Sequence, residues 1–296
     1  MIKTKYASIV KAILEDKGFP VFLTKDTKNN SAYISLTIRG GNKVSPVFNI
    51  GDNEEKTPEE YAQYVINNLE TNIDVSGIED IIRDKNEVLK RIIYVLVNRK
   101  LNAKRKNIVR FPVCDTLEKH FKIDISDAFK DGMISVEQKH IENLGITLSE
   151  LNEASDSNTS KNMPAVLTDM SSFIDIPINT DLYVLTNKVK MYGAGAILYD
   201  GINDMLAEAA GEDFALIPSS VHEWIVVPSE FSDVDSLTKI IGEVNSTVLK
   251  PEEVLSDRPY KFDNGRLVEA WLLGTRRVIS TGPIRINYMR NNEREA

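Results

Sequence analysis

The densest set of chemically capable side chains is the run Pro218-Ser219-Ser220-Val221-His222-Glu223, with Thr186, Asn187 and Tyr192 upstream. A serine hydroxyl near an imidazole is the raw material of a nucleophile–base pair, completed when an acidic residue orients the histidine. Neither Ser219 nor Ser220 sits in a GxSxG elbow, and both lie within three residues of His222. Side chains so placed on a turn cap that turn's own amides. Asn187, Tyr192, Ser219, Ser220, His222 and Glu223 therefore stand as binding candidates, and no residue is assigned a catalytic role.

Other chemistries find less support. His120, His140 and His222 share no HExxH spacing, the position four after His222 being Val226. One cysteine cannot build a CxxC zinc site, so no metal or cofactor is expected. Gly40-Gly41 and Gly193-Ala194-Gly195 continue into neither a P-loop nor a GxGxxG fingerprint, and close packing or a tight turn is the expected role of Gly193 and Gly195. Asp124, Asp127 and Asp131 match no EF-hand and read as a solvated turn. Cys114, in an extended run, reads as a small buried apolar residue.

Composition sets the frame for these residues. The 296 residues are 42% hydrophobic and 27% charged, ordinary for a folded protein of about two domains. No apolar run reaches the roughly 20 residues that span a bilayer, and the N-terminus does not read as a signal peptide. Membrane association is not expected, and the lone Cys114 makes a cytoplasmic setting the expectation. Charge is uneven: the balance is +1 over residues 1–150, -12 over 151–265 and +3 over 266–296. The acidic block repels phosphate, so direct nucleic-acid binding is not expected. A basic cluster (Arg99, Lys100, Lys104, Arg105, Lys106, Arg110) lacks interleaved aromatics and reads as a solvated helix end complementing its macrodipole.

The elements that must position the candidates read as α+β: two mixed domains with small, largely antiparallel sheets covered by helices. Residues 1–75 form an α-β-β-β-α unit, with Thr57, Pro58 and Glu60 writing a capping box at the second helix. Residues 76–160 form a helical and extended middle segment. A long helix is expected over 85–102, with strands near 108–114 and 117–125, and short helices opened by Ser135 with Gln138 and by Thr147 with Glu150. The polar stretch 153–164 is the expected linker. Residues 165–275 form a β-α-β-β-α-hairpin unit: 182–185 a strand, 194–199 a strand or first helical turn, 214–218 and 223–228 a hairpin with a Ser219–His222 tip. If 214–218 and 182–185 are neighbours in the sheet, the candidate polar groups share one edge of it. Asp263-Asn264-Gly265 marks a second hairpin, and 276–296 is an Arg-rich tail.

Segments 35–70, 92–102, 182–228 and 244–263 together resemble the uncharacterised bacterial domain-of-unknown-function family 5688, over most of residues 5–265. The most specific part is the YGA…LY…PSSVHE…VP series, and the order of elements is more faintly similar to family 1444. The stretch 118–132 departs from the resemblance in being unusually polar, and the tail after Trp271 has no counterpart. The resemblance implies a cytoplasmic module of Gram-positive bacteria, sometimes carried on mobile elements, and supplies no reaction.

Three functions follow as expectations. The first is a non-enzymatic module binding a protein or peptide, with an exposed strand edge as docking element. The second is a hydrolase or transferase using Ser219 or Ser220 with His222. The third is a mobile-element-encoded acidic inhibitor of a nucleic-acid-binding protein.

Overall fold

The computed structural model describes residues 2–270 apart from 29–30, 40–44, 51–55, 71–74, 129–131, 174–180, 229 and 231–232. Gly40-Gly41, Asp131, Trp271 and the Arg-rich tail thus lie outside the described residues. The architecture is α+β, and among the described residues the strands pair into three antiparallel sheets. The chain divides into two compact units, Met1–Asn162 and Met163–Ala296.

The first unit opens with α1 (Ile2–Asp16), β1 (Val21–Lys28), β2 (Ser31–Ile38), β3 (Val47–Ile50) and α2 (Pro58–Glu70). Helix α1 sets Val10 and Leu14, and α2 sets Tyr61 and Val65, against Val21, Leu36, Phe48 and Ile50 of the sheet β1-β2-β3. The capping box is formed as read: Thr57 N–H donates to Glu60 Oε2 at 2.7 Å and Glu60 N–H to Thr57 Oγ1 at 3.2 Å.

Next come α3 (Val75–Arg83), α4 (Lys85–Arg91), β4 (Ile92–Asn98), β5 (Arg110–Pro112), β6 (Leu117–Asp124), β7 (Met133–Ser135), α5 (Gln138–Leu144) and α6 (Leu148–Asn162). Strand β6 pairs with β4, β5 and β7. The expected 85–102 helix is therefore wrong beyond Arg91. Ile92 to Asn98 form a strand with every residue buried. A continuous apolar run fits helical and extended periodicity equally, and its β-branched content tips it to strand. Helix α5 is capped at Glu137 rather than Ser135, which belongs to β7, and Gly145 closes it in the left-handed region.

The expected linker is instead helix α6. Its buried positions, Leu151, Ser155 and Thr159, are spaced four apart, and two of them are polar. The reason lies on β4, an edge strand whose outer backbone groups would be stranded away from water. Thr159 Oγ1 accepts the Tyr94 N–H at 3.0 Å, while Asn158 Nδ2 donates to the carbonyls of Leu89 (2.8 Å) and Ile92 (2.9 Å). The helix is polar because it caps a strand edge. Replacing Thr159 by Val keeps the shape and removes the acceptor; a loss of about 1–3 kcal/mol in urea unfolding, with unchanged m-value, is expected.

The second unit contains β8 (Ala165–Asp169), β9 (Tyr183–Asn187), a 3₁₀ helix (Gly193–Leu198), α7 (Ile202–Ala210), β10 (Phe214–Ser220), β11 (Glu223–Pro228), α8 (Val234–Thr247), β12 (Tyr260–Asp263) and β13 (Arg266–Glu269). The sheet order is β13-β12-β10-β11-β9-β8. Ala215, Ile217, Ile225 and Val227 pack with Leu237 and Ile241 of α8. On the alternate positions, Trp224 is fully buried and donates its Nε1–H to the Ala194 carbonyl at 2.8 Å. The Asn264-Gly265 hairpin forms with both residues at positive φ, as a two-residue primed turn requires. Strand β9 pairs with β11, so 182–185 and 214–218 are not neighbours. Of the two readings of 194–199, the helical one is met, as a 3₁₀ helix.

Candidate functional site

The hairpin β10–β11 brings the candidates together, with a different division of labour from the expected one. Its tip is only Val221-His222, because the register slips between Pro218 and Ser220. Ser219 and Ser220 are buried strand residues, not turn residues. Ser219 Oγ donates to Glu223 Oε1 at 3.1 Å, and Ser220 Oγ accepts the His222 N–H at 3.0 Å. Burial raises the Glu223 carboxyl above its ordinary range, partly offset by the Ser219 hydroxyl.

The tip is tied to the segment after β9. His222 Nδ1 accepts the Tyr192 N–H at 3.0 Å, and the two rings stack 5.7 Å apart. The His222 carbonyl accepts the Thr186 hydroxyl at 2.8 Å. Asn187, buried, donates Nδ2–H to the Met191 carbonyl at 2.9 Å, and its Oδ1 has no hydrogen-bond partner. Tyr192 sits at φ +53°, a conformation these bonds hold in place. Gly193 is required by closeness: a Cβ there would lie 2.2 Å from Thr186 Oγ1 and 2.4 Å from the His222 carbonyl. The packing role expected for that glycine is what the fold uses.

These bonds decide what His222 can do. An imidazole accepting at Nδ1 in its neutral form carries its proton on Nε2. A serine-activating base needs the reverse, with Nδ1–H oriented by a carboxylate and Nε2 free to accept. Thr186, Tyr192 and His222 form a latch between the hairpin tip and the segment after β9, with Ser219, Ser220 and Glu223 bracing the hairpin and Asn187 the loop.

Glu118, His120 and Arg110, which the sequence did not group together, form a second polar cluster on β6 and β5. Strand alternation puts Glu118 and His120 on one face, beside Arg110 of β5. His120 Nε2 lies 2.8 Å from Glu118 Oε1, and Arg110 Nη1 reaches the same oxygen at 3.2 Å. Glu118 and His120 are 3% and 1% exposed. Burial holds the His120 pKa below its usual value, against the pull of Glu118. On the other face the buried Lys119 lies over the Tyr94 ring at 4.5 Å and pairs with Asp156 of α6. The available signal was the unusual polarity of 118–132, which matches charges buried in a strand.

The remaining candidates are structural. His140 Nδ1 accepts the Glu137 N–H at 3.2 Å within a helix cap. Cys114 is half-buried rather than buried, with Sγ 3.7 Å from Thr116 Oγ1. Asp124 accepts the Ser126 N–H, and Asp127 pairs with Arg91 at 2.8 Å. Among the described residues, no group of three or more His, Cys, Asp and Glu could hold a metal, and no helix is long and apolar enough to cross a membrane.

Two outcomes are expected. Nitrogen-15 NMR of the imidazoles assigns His222 the Nε2–H tautomer when neutral; an Nδ1–H signature would contradict the latch. Because His120 resists protonation in the fold, the unfolded chain takes the proton first, so stability falls as pH drops below the usual histidine value of 6.5. His120→Gln should shrink that fall in urea unfolding between about pH 7 and pH 5. His140, also held low by burial, leaves a residual slope.

Among known proteins, the model of a family of unknown function (DUF5688) matches residues 3–264. No curated protein and no solved structure matches the chain. The match includes the β6 cluster and the whole latch, and on that extent the chain belongs to the DUF5688 family of unknown function.

Proposed function

We propose that this protein is a non-enzymatic binding module whose second unit takes an extended segment of a partner protein as an added strand on β8. The observation that carries the reading is the outer edge of β8, which among the described residues pairs with no further strand. The Lys188 N–H donates to the Pro164 carbonyl and the Met170 N–H to the Leu182 carbonyl. Alternation from these bonds, with the register Val166↔Thr186 and Thr168↔Val184, turns residues 164, 166, 168 and 170 toward β9. Ala165, Leu167 and Asp169 therefore face outward, and β8 ends the sheet order. Strand β8 carries no proline or lysine to blunt the edge, and all five of its residues are half-buried.

Charge supplies the chemistry of the incoming segment. Residues 163–265 hold 17 carboxylates against six lysines and arginines. Such a field draws in a cationic strand and repels an acidic one. This absorbs the docking half of the acidic-inhibitor reading, while hydrolysis by Ser219 or Ser220 is disfavoured by the proton position on His222. A bacterial, cytoplasmic setting with carriage on mobile elements belongs to the same proposal, and the lone Cys114 is compatible with a reducing compartment.

The test is selection of extended peptides on the full chain, then calorimetry with the best binder. A Lys- or Arg-bearing peptide is expected, weakened by salt and protecting β8 amides from exchange. Leu167→Pro removes an outward N–H and leaves the β8–β9 ladder bonds in place. It should keep the thermal midpoint and lose binding by more than about tenfold, the order of one buried interstrand bond. Undiminished binding by that variant would reject the proposal.

A further inference from the structure

The basic cluster at 99–110 no longer has the explanation its sequence suggested. It follows strand β4, not a helix, so no macrodipole awaits its charge. Arg99, Lys100, Lys104 and Lys106 are exposed and Arg105 half-exposed. No carboxylate occurs between residues 99 and 114. Among the described residues, the cluster's one ion pair is Arg110 with Glu118.

The turn is nonetheless built rigidly. Asn98 and Asn102 are buried beneath it. Asn98 Oδ1 accepts the Leu101 N–H at 2.9 Å, and Asn102 Nδ2 donates to the Asn98 carbonyl at 2.9 Å. Arg110 Nη2 donates to the carbonyls of Asn102 (2.8 Å) and Arg105, while its Nη1 is held by the buried Glu118. The buried β6 cluster thus pins the backbone from which five cations project. Preorganised cations lose less freedom on binding than the same charges on a loose loop.

We infer that the 99–106 turn is a contact for the phosphate backbone of double-stranded nucleic acid, bound without reading sequence. The choice of partner follows from what the turn lacks. A protein interface needs a desolvated apolar or aromatic anchor, and the turn offers only Ala103 and the half-buried Leu101. Without aromatics it has no platform for unstacked bases, which argues against single strands. Phosphates ask only for charge and hydrogen-bond donors. The first unit, through residue 162, carries 24 Lys+Arg and 24 Asp+Glu, so it does not share the acidic excess that follows.

The experiment is fluorescence anisotropy of the full chain with a labelled mixed-sequence DNA duplex of about two helical turns, in salt from about 50 to 200 mM. Engagement of three to five phosphates gives log K a slope of about -3 to -4.5 against log salt. The combined variant Lys100→Ala, Lys104→Ala, Lys106→Ala should weaken binding by more than about tenfold and flatten the slope by about 2 to 3. Its thermal midpoint should be unchanged, since those side chains are exposed. Leu167→Pro, which tests β8, should bind duplex like the parent chain. Absence of binding at the lowest salt, binding insensitive to salt, an unaffected triple variant, or tighter binding to polyglutamate than to duplex would each overturn the inference.

Discussion

A backbone amide or carbonyl withdrawn from water must be given a partner, and most of this molecule's unusual sequence choices answer that requirement. Strand β4 buries all seven of its residues and lies at a sheet edge. Its outward N–H and C=O groups cannot be satisfied by an absent neighbouring strand. Thr159 and Asn158 of α6 supply the missing acceptor and donor. A helix made only of leucines on that face would pack as well and leave those groups stranded. The cost of a buried unpaired group, about 1–3 kcal/mol, exceeds the modest helix propensity lost by using Ser, Thr and Asn.

The hairpin tip obeys the same rule with different parts. Ser220 takes the His222 amide, His222 takes the Tyr192 amide, and Thr186 gives its proton to the His222 carbonyl. Each side chain that looked available for chemistry is occupied in closing a loop against a turn. The left-handed Tyr192 and the close approach at Gly193 follow from that closure. A histidine that serves a backbone amide through Nδ1 is in the wrong tautomer to deprotonate a hydroxyl, so structure and catalysis compete for one nitrogen.

Burying charge is harder than burying amides, and the β6 cluster shows how it is managed here. Glu118 is almost fully enclosed, and it is met by both the Arg110 guanidinium and the His120 ring. A buried pair of this kind adds little net stability over apolar packing, because desolvation consumes most of the attraction. What it does confer is position: Arg110 spends its remaining donors on carbonyls of the 99–106 turn and holds that turn's shape.

What the sequence determined by itself is the local geometry: the Thr57–Glu60 and Thr147–Glu150 caps, the Asn264-Gly265 turn, and the hairpin between 214 and 228. In these the interacting groups are close along the chain, so residue type and spacing state the bond. The α+β class followed from the same signals. The strand at 92–98, the continuation of α6 through 153–162, and the Glu118–His120–Arg110 cluster were decided only in three dimensions. Tyr94 and Thr159 are 65 residues apart, and neither residue's type announces the other. A continuous apolar run has no periodicity to separate helix from strand, and a polar helix has no apolar stripe to declare itself. Likewise the candidate residues of the latch were legible as a group, but the nitrogen of His222 that is engaged, and so whether the group can do chemistry, depends on where the loop from β9 folds back.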